Sequence, residues 1–466
     1  MSDLASNPYA SIVELSKAFR NKSVLPSQIM EAQLARIDAL DKKLGSYQTI
    51  YSGEALAAAK VADKAFTEDA RLGPFHGIPF ALKDIYELKG QITTCGSYEM
   101  RQRISSETGT VVQRLLKAGG IAIGKTKTVE CALGGWGTNE YMGTPWNPWD
   151  LKEARVPGGS SSGSGVAVAS GLASCATGSD TGGSVRLPAA YCGLTGLKVS
   201  KACLPTDGIM PLSQTLDTPG PMTRDMADLA LMFSIMKGID GRKIETDMMN
   251  GHGLFNIQMN IFKGLRFGII DQKERSRCSD DILKSYDATL NLLADLGAEL
   301  EVFMSPIAYH DMAQFNGAIT MYEGYRNHQY LYNDPSKSMD QNVKKRMLDG
   351  RDITPQKHAD LLGKRQNHQL IFKNAMADFD VLVTPTIIEP APKLNEIDED
   401  FTPGYFTRSF NYIDMSALAL PTAYTSNGLP TSLQMVVPAG QEDYVIQMGT
   451  ALEAALALNK QPNLTP

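Results

Sequence analysis

The stretch from residue 156 to residue 186 decides how this chain is interpreted. It reads VPGGSSSGSGVAVASGLASCATGS over residues 156–179 and DTGGSVR over residues 180–186. No charged side chain occurs in it before Asp180. Serines on glycine-rich turns in an apolar setting can be nucleophiles, and such turns can offer backbone N–H groups to an oxyanion. The stretch therefore indicates a catalytic site built on serine.

Three other interpretations of this stretch are weaker. A Gly/Ser-rich run is typical of a flexible linker, but the apolar residues 166–169 and 172–173 predict a buried helix or strand instead. No phosphate-loop or dinucleotide-binding pattern is present. One G-x-S-x-G occurs around Ser161, but a charged, proline-containing segment precedes it where a nucleophile elbow needs a strand.

Composition indicates an ordinary globular protein. The chain has 466 residues, 43% hydrophobic and 21% charged, with a net charge of −6, so no basic field for nucleic acid or a membrane surface is expected. Six scattered cysteines lack metal-ligand spacing and are expected to be reduced and buried. The N-terminus lacks signal-peptide features and no long apolar run suggests a membrane span, so a cytoplasmic location is expected.

Helical and strand patterns alternate along the chain, which predicts an α/β fold. We expect one domain over residues 1–466, with N-terminal helices in 8–70, a core in 75–240 and helical cover plus further strands in 241–466. Helices are predicted over residues 11–19, 26–40, 54–66, 111–118, 225–236 and 281–296, with a polar helical layer over 311–377. Strands are predicted over residues 77–84, 121–124, 264–270, 380–386 and 435–438.

A lysine is the candidate base for this serine site. The six histidines lie outside the uncharged stretch, which disfavours a Ser-His-Asp triad. Lys83 ends an apolar strand, on the face that it shares with Ala81, and burial there would lower its pKa. Local sequence alone leaves open a surface lysine paired with Asp84.

These motifs resemble the amidase signature family. The resemblance is carried by residues 158–164 and 178–190, by Gly77-Ile78-Pro79 with Leu82-Lys83-Asp84, and by four further motifs that follow in the family's order. Those four are Gly124-Lys125-Thr126, Asn147-Pro148-Trp149-Asp150, Asp217-Thr218-Pro219-Gly220-Pro221-Met222 and Gly428-Leu429-Pro430 with Gln434. The resemblance covers roughly Leu15 to Glu453. It implies a large central mixed β-sheet covered by helices on both faces.

The resemblance also implies roles for individual residues. Ser184 matches the nucleophile, Ser160 the bridging serine with its cis peptide bond, and Lys83 the base. The backbone N–H groups of Thr181, Gly182 and Gly183, together with that of Ser184, match the oxyanion hole. Leu133, Gly134, Gly135 and Trp136 match a segment that lines the acyl pocket in similar enzymes. Trp136 stands where relatives usually carry a small polar residue, which predicts an aromatic substrate. The alternative is a tryptophan packed beneath the loop.

Arg186 has two possible roles. It could bind a substrate carboxylate, or it could pair with Asp180 or Asp84, and the structural role is favoured.

The predicted function is hydrolysis of a small aromatic or aryl amide through an acyl-enzyme, and esters and carbamates are further candidate substrates. The alternative is an A-type subunit of a tRNA-dependent amidotransferase that releases ammonia from glutamine. Residues 198–202 and 140–143 depart from the sequence that such subunits usually carry, which favours a free-standing amidase. Neither a cofactor nor a metal is expected. The expected partner is a small-molecule amide, with no nucleic acid and no membrane, and a homodimer is left open.

Overall fold

The computed structural model describes residues 3–68, 72–258 and 260–464. The strands are β1 Tyr47–Ile50, β2 Pro79–Lys83, β3 Ile121–Thr126, β4 Cys175–Asp180, β5 Thr195–Lys198, β6 Thr218–Thr223, β7 Arg266–Ile269, β8 Glu299–Val302, β9 Val381–Pro385, β10 Ser416–Tyr424 and β11 Pro430–Val437. The helices are α1 Asp3–Ser6, α2 Ile12–Arg20, α3 Pro26–Leu44, α4 Ser52–Thr67, α5 Thr110–Lys117, α6 Ser162–Ala169, α7 Arg186–Cys192, α8 Met226–Lys237, α9 Gly241–Asn250, α10 Gln272–Arg275, α11 Asp280–Asp295, α12 Tyr309–Tyr332, α13 Gln341–Arg351, α14 Pro355–Ala375, α15 Tyr405–Tyr412 and α16 Glu442–Leu456.

All these strands join one mixed sheet. Its order is β1-β3-β2-β4-β6-β5-β10-β11-β9-β7-β8. Strand β2 runs parallel to both β3 and β4, whereas β4 pairs with β6 in antiparallel register. The sheet therefore brings together strands from the N-terminal, central and C-terminal parts of the chain, and the α/β prediction is confirmed.

Both faces of the central strands are buried. Phe80 and Leu82 of β2 pack into the large hydrophobic core that includes residues of α5 and α8. Ala81, which points to the opposite face, packs into a second core with the small apolar residues of α6. Since side chains alternate along a strand, Lys83 lies on the same face as Ala81, beneath α6.

The predicted elements agree with the structure within a few residues at their ends. The predicted strand over 77–84 is β2, and the predicted strand over 380–386 is β9. The polar layer over 311–377 consists largely of α12, α13 and α14. The apolar run at 166–169, for which a helix and a strand were both open, belongs to α6. Strands β1, β4, β5, β6, β8 and β10 carried no specific prediction.

The helices α12, α13 and α15 form a layer next to the glycine-rich loop that follows β4. Asn316 of α12 donates to the carbonyl of Thr181 at 3.0 Å, and Thr407 of α15 donates to the carbonyl of Gly182 at 2.8 Å. The C-terminal half of the chain thus holds the loop that carries Ser184.

Among the helices within the described ranges, none is long and apolar enough to cross a membrane.

Candidate active site

Lys83 lies at the end of β2 with no exposure to solvent. Its Nζ is 2.8 Å from Oγ of Ser160 and 2.8 Å from Oγ of Ser179. Its backbone N–H donates to the hydroxyl of Thr177 at 3.1 Å, which fixes the end of the strand. Among the residues that the structure describes, the amine therefore contacts hydroxyl groups and no carboxylate.

Burial lowers the pKa of Lys83 from 10.5 to about 7. Removing an ammonium ion from water is unfavourable, and the more distant Cys95, Asp217 and Asp180 offset only part of that effect. At neutral pH a large fraction of Lys83 is consequently unprotonated and able to accept a proton.

Asp84 is not the partner of Lys83, so the interpretation of Lys83 as a surface lysine paired with Asp84 is wrong. The Asp84 carboxylate is instead 3.2 Å from Nζ of Lys125 and also accepts hydrogen bonds from Thr94. Lys125 belongs to the Gly124-Lys125-Thr126 motif, and both members of this ion pair are buried. That motif therefore supplies the cation that balances Asp84, and Asp84 is not an ion-pair partner of Lys83.

Ser160 precedes helix α6 on a turn packed against other backbone. The Gly159–Ser160 peptide bond is cis. Gly159 donates to the carbonyl of Gly135 at 2.7 Å, and a Cβ on Gly159 would come within 2.7 Å of the carbonyl of Gly134. Glycine is therefore required at residue 159 because the neighbouring backbone leaves no room for a side chain. The Ser160 carbonyl accepts from the hydroxyl of Thr128 at 2.9 Å.

Ser184 lies in the loop between β4 and α7 and is 9% exposed, whereas Ser160 is fully buried. Ser184 is thus the member of the Lys83, Ser160 and Ser184 set that a ligand can reach. Its carbonyl accepts from the N–H of Ser161 at 3.3 Å, which ties the two serine-bearing loops together. No hydrogen bond joins the hydroxyls of Ser160 and Ser184 in this structure.

The four N–H groups predicted for the oxyanion hole differ in availability. The N–H of Gly183 donates to Oδ1 of Asp180 at 2.7 Å, so this group is already engaged, contrary to the prediction. The N–H groups of Thr181 and Gly182 have no acceptor among the residues that the structure describes, and neither has the N–H of Ser184. These three remain for a developing oxyanion.

Arg186 has a structural role. It is fully buried, with Nε 3.0 Å and Nη2 2.9 Å from the two carboxylate oxygens of Asp180. Gln434, Thr407 and Asn411 take up its other N–H groups. Burial alone would raise the pKa of Asp180, but Arg186 and the hydrogen bonds to the carboxylate hold it down at about 2. The favoured prediction, pairing with Asp180, is confirmed, and the fully buried side chain of Arg186 does not line the cavity beside Ser184.

A small cavity of about 50 Å³ opens beside Ser184. Gly182 and Ser184 line it on one side and Leu133, Gly134 and Gly135 on another. Three of the four predicted pocket residues therefore lie on its wall.

Trp136 does not line this cavity. It is 3% exposed, its indole N–H lies 3.0 Å from the carbonyls of Asp398 and Phe401, and its ring packs with a small apolar cluster. The structure therefore corrects the prediction that Trp136 forms the pocket wall, because the indole is held behind residues 133–135. This agrees with the alternative of a tryptophan packed beneath the loop.

Several residues of the site carried no prediction. Ser179 contacts Lys83, and Asp217 accepts from the hydroxyl of Thr181 at 2.5 Å and so holds the start of the glycine-rich loop. Both residues lie in motifs that carry the resemblance to the amidase signature family, so their membership of those motifs could have marked them as candidate site residues. Arg346 and Arg408 also line the cavity but come from distant helices, and no local pattern marks them.

The cavity and its surroundings show no arrangement suited to a metal. Within residues 3–68, 72–258 and 260–464, no group of three or more His, Cys, Asp or Glu side chains could hold an ion. The site itself offers a buried amine, the hydroxyls of Ser160, Ser179 and Ser184, and backbone N–H groups.

Comparison with known proteins places the chain among amidases. The family described as Amidase matches residues 28–446. The A-type subunit of the glutamyl-tRNA(Gln) amidotransferase from Alkaliphilus metalliredigens is 30% identical over 482 residues, which cover 97% of each chain. The protein of the same name from Thioalkalivibrio sulfidiphilus is 33% identical over 91% of this chain and 93% of its own.

Solved structures agree with this grouping. A crystal structure described as an amidase is 26% identical, with a TM-score of 0.85 over 96% of this chain and 99% of that one. The native peptide amidase from Stenotrophomonas maltophilia is 25% identical, with a TM-score of 0.82 over 98% and 99% of the two chains. The similarity extends over nearly the full length in both cases.

Proposed function

The chain belongs to the amidase signature family and is an amide hydrolase, and from that premise we propose that it works through Lys83, Ser160 and Ser184. The observation that carries this proposal is the fully buried amine of Lys83, 2.8 Å from the hydroxyl of Ser160 and with its pKa lowered to about 7. A buried, unprotonated lysine can serve as a general base where no histidine is available.

In the proposed first half-reaction, Ser184 attacks the amide carbon. Its proton passes to Ser160 while Ser160 gives its own proton to Lys83. The hydroxyls of Ser160 and Ser184 must approach when substrate binds, as catalytic hydrogen bonds in unliganded enzymes often do. The N–H groups of Thr181 and Gly182, with that of Ser184, would stabilise the oxyanion, and one such donor is typically worth about 3 kcal/mol.

In the second half-reaction, Ser160 returns a proton to the leaving amine, and the C–N bond breaks to leave an acyl ester on Ser184. A water molecule then gives a proton to the relay and attacks the ester, releasing the acid and regenerating Ser184. Proton transfers balance within the Lys83–Ser160–Ser184 relay, so no cofactor is required. Ester and carbamate hydrolysis would use the same steps. The aromatic preference no longer has support, because it rested on Trp136 as a pocket wall.

The test is amine or ammonia release from an aryl anilide and from a small primary aliphatic amide, with Ser184→Ala as the blank. Labelling with a fluorophosphonate, followed by mass mapping of the modified peptide, identifies the nucleophile directly. We expect the label on Ser184 and no turnover by Ser184→Ala. Turnover by Ser184→Ala, or a label on a different serine, would contradict the proposal.

A second candidate is supported by the relatives that are A-type subunits of glutamyl-tRNA(Gln) amidotransferases, which match over nearly the whole chain. In that case the same site would release ammonia from glutamine as part of a complex. Affinity purification from the native host and glutamine hydrolysis with and without co-purified proteins and charged tRNA distinguish the two. Glutamine hydrolysis that requires those partners would favour the amidotransferase role, whereas amide hydrolysis by the chain alone would favour the free-standing amidase.

A homodimer and a cytoplasmic location stay predictions.

A further inference from the structure

Two polar side chains of α12, one helical turn apart, belong to the wall of the cavity beside Ser184. Asn316 and Thr320 both line this cavity, and they are 1% and 4% exposed. Residues four apart on a helix share one face, so the two side chains are presented to the cavity together. Neither side chain takes part in the proposed relay, so their role concerns what the substrate carries.

The side-chain amide of Asn316 is held in one orientation. Its Nδ2 donates to the carbonyl of Thr181 at 3.0 Å, which directs Oδ1 away from that carbonyl. This oxygen lies beside the glycine-rich loop, since a Cβ on Gly182 would come 3.1 Å from it. No donor among the residues that the structure describes reaches Oδ1. An amide oxygen has two lone pairs, so a substrate group with a hydrogen to donate can bind here.

The hydroxyl of Thr320 also lacks a partner. Its Oγ1 is buried and makes no hydrogen bond within the described part of the chain. A threonine inside a helix can donate to the carbonyl four residues earlier, and Thr289 of α11 and Thr450 of α16 do so, each at 2.9 Å. A buried hydroxyl without a partner is unfavourable, and a ligand in the cavity would relieve that cost.

The charge in the cavity restricts the kind of donor that fits. Arg346 and Arg408 line the cavity as well. Burial and, to a smaller degree, the like charge of Arg346 lower the pKa of Arg408 from 12.5 to about 10. A substrate ammonium group would add a third positive charge to a space in which charge is poorly solvated. A neutral donor is therefore favoured over an amine.

A hydroxyl group satisfies both open positions at once. It has one hydrogen to donate, which suits Oδ1 of Asn316, and lone pairs that can accept from the hydroxyl of Thr320. A hydrogen atom in place of this hydroxyl would leave both side chains unsatisfied. The cavity of about 50 Å³ leaves room for only a short acyl part around the hydroxyl group.

We propose that the substrate is the amide of a short hydroxy acid, and that Asn316 and Thr320 bind its hydroxyl group while Ser184 attacks the amide carbon. A site built to hydrogen-bond a substrate hydroxyl rejects the analogue that lacks it, because the polar groups of the site are then left unpaired. The two residues of α12 thus decide between hydroxylated and plain acyl groups. This inference rests on the proposed function for the identity of the nucleophile.

The test compares kcat/KM for pairs of amides that differ only in the hydroxyl group, namely lactamide against propionamide and glycolamide against acetamide. We expect at least a tenfold preference for the hydroxylated member of each pair. Thr320→Val nearly keeps the shape of the side chain and removes its hydroxyl. It should remove most of this preference by lowering kcat/KM for the hydroxylated amides alone, and Thr320→Ser, which keeps a hydroxyl, should retain part of it.

The matched control is Thr450→Val, which removes the hydroxyl of a buried helical threonine that bonds its own helix and does not line the cavity. This control should leave the preference intact. A difference in intrinsic reactivity between hydroxylated and plain amides would survive Thr320→Val. Equal rates within each pair, or a preference that Thr320→Val leaves unchanged, would therefore overturn the hydroxyl site. Thermal melting of each variant detects loss of folding, and Thr320→Ala covers the case in which Thr320→Val does not fold.

Failure of the hydroxyl site and failure of the proposed function give different results. Ligand-observed NMR on the Ser184→Ala protein measures binding of the same four amides without turnover. Equal hydrolysis within each pair, abolished by Ser184→Ala, would keep the serine hydrolase and overturn the hydroxyl site. Preferential binding of lactamide and glycolamide that Thr320→Val removes, without any hydrolysis by the unmodified protein, would keep the hydroxyl site and overturn the proposed function. Absence of both hydrolysis and preferential binding would overturn both.

Discussion

Asp180 and Arg186 form a two-point ion pair in which neither side chain is exposed. The same carboxylate accepts from the N–H of Gly183, so one aspartate holds both the arginine and the loop that carries Ser184. The ion pair therefore fixes the shape of the site from a position with no exposure to solvent.

We expect Asp180→Asn to lower the free energy of unfolding by about 3–5 kcal/mol, because it leaves the buried charge of Arg186 uncompensated. Denaturant titration measures this loss. The control is Asp352→Asn, which removes one member of the exposed pair with Arg351 and should cost less than about 1 kcal/mol. Equal losses for the two variants would show that the buried pair has no special role.

Ser184→Ala should abolish turnover, and Lys83→Ala and Ser160→Ala should each lower kcat by at least about 10²–10⁴-fold, the usual contribution of general acid–base catalysis. The matched control is Ser162→Ala. Ser162 is a buried serine of the same run whose hydroxyl has no hydrogen-bond partner among the described residues. The kcat of the Ser162→Ala protein should change little. A near-normal rate for Lys83→Ala at pH 7 would exclude Lys83 as the base.

The rate should fall as the pH drops below the pKa of Lys83, which lies at about 7. The protonated amine cannot accept a proton, so kcat/KM should be about tenfold below its plateau one pH unit under that pKa. Steady-state rates across this range, with circular dichroism at each pH to exclude unfolding, provide the measurement. A flat profile through neutral pH would mean that Lys83 stays in one protonation state.

Trp136→Ala should leave the ratio of rates on aromatic and aliphatic amides unchanged, since the indole lies behind the cavity wall. It should instead lower the free energy of unfolding by about 3–5 kcal/mol, as expected for a large buried side chain. Leu133→Ala is the contrasting variant because Leu133 lines the cavity, and it should alter the ratio. A changed ratio of rates for Trp136→Ala would show that Trp136 does contribute to the substrate pocket.

The sequence predicted β2 and β9 because both are short apolar runs with turn residues at their ends. It did not predict β6, which contains Pro219 and Pro221 yet lies inside the sheet between β4 and β5. Proline lacks the N–H that a sheet ladder uses, so local patterns argue against a strand there. Only the surrounding packing makes this segment extended.

The candidate site follows the same division. Lys83, Ser160 and Ser184 stand in motifs that a single sequence reveals by resemblance. Arg408 and Asn316 become neighbours of Gly182 only through the packing of α12 and α15, so no local spacing could mark them. Trp136 directly follows the cavity-lining residues 133–135 in the sequence. The direction of its side chain, however, depends on the carbonyls of Asp398 and Phe401, far along the chain.

The packing of α15 against the Ser184 loop has a consequence for the timing of activity during synthesis. Thr407 and Asn411, which complete the surroundings of Arg186 and Gly182, belong to α15 and follow Arg186 by 221 and 225 residues. A nascent polypeptide still on the ribosome can therefore contain Lys83, Ser160 and Ser184 before α15, the helix that holds the Ser184 loop, has been made. We expect a latent hydrolase during translation, whose reactive serine becomes competent only once α15 has emerged and packed against the Ser184 loop.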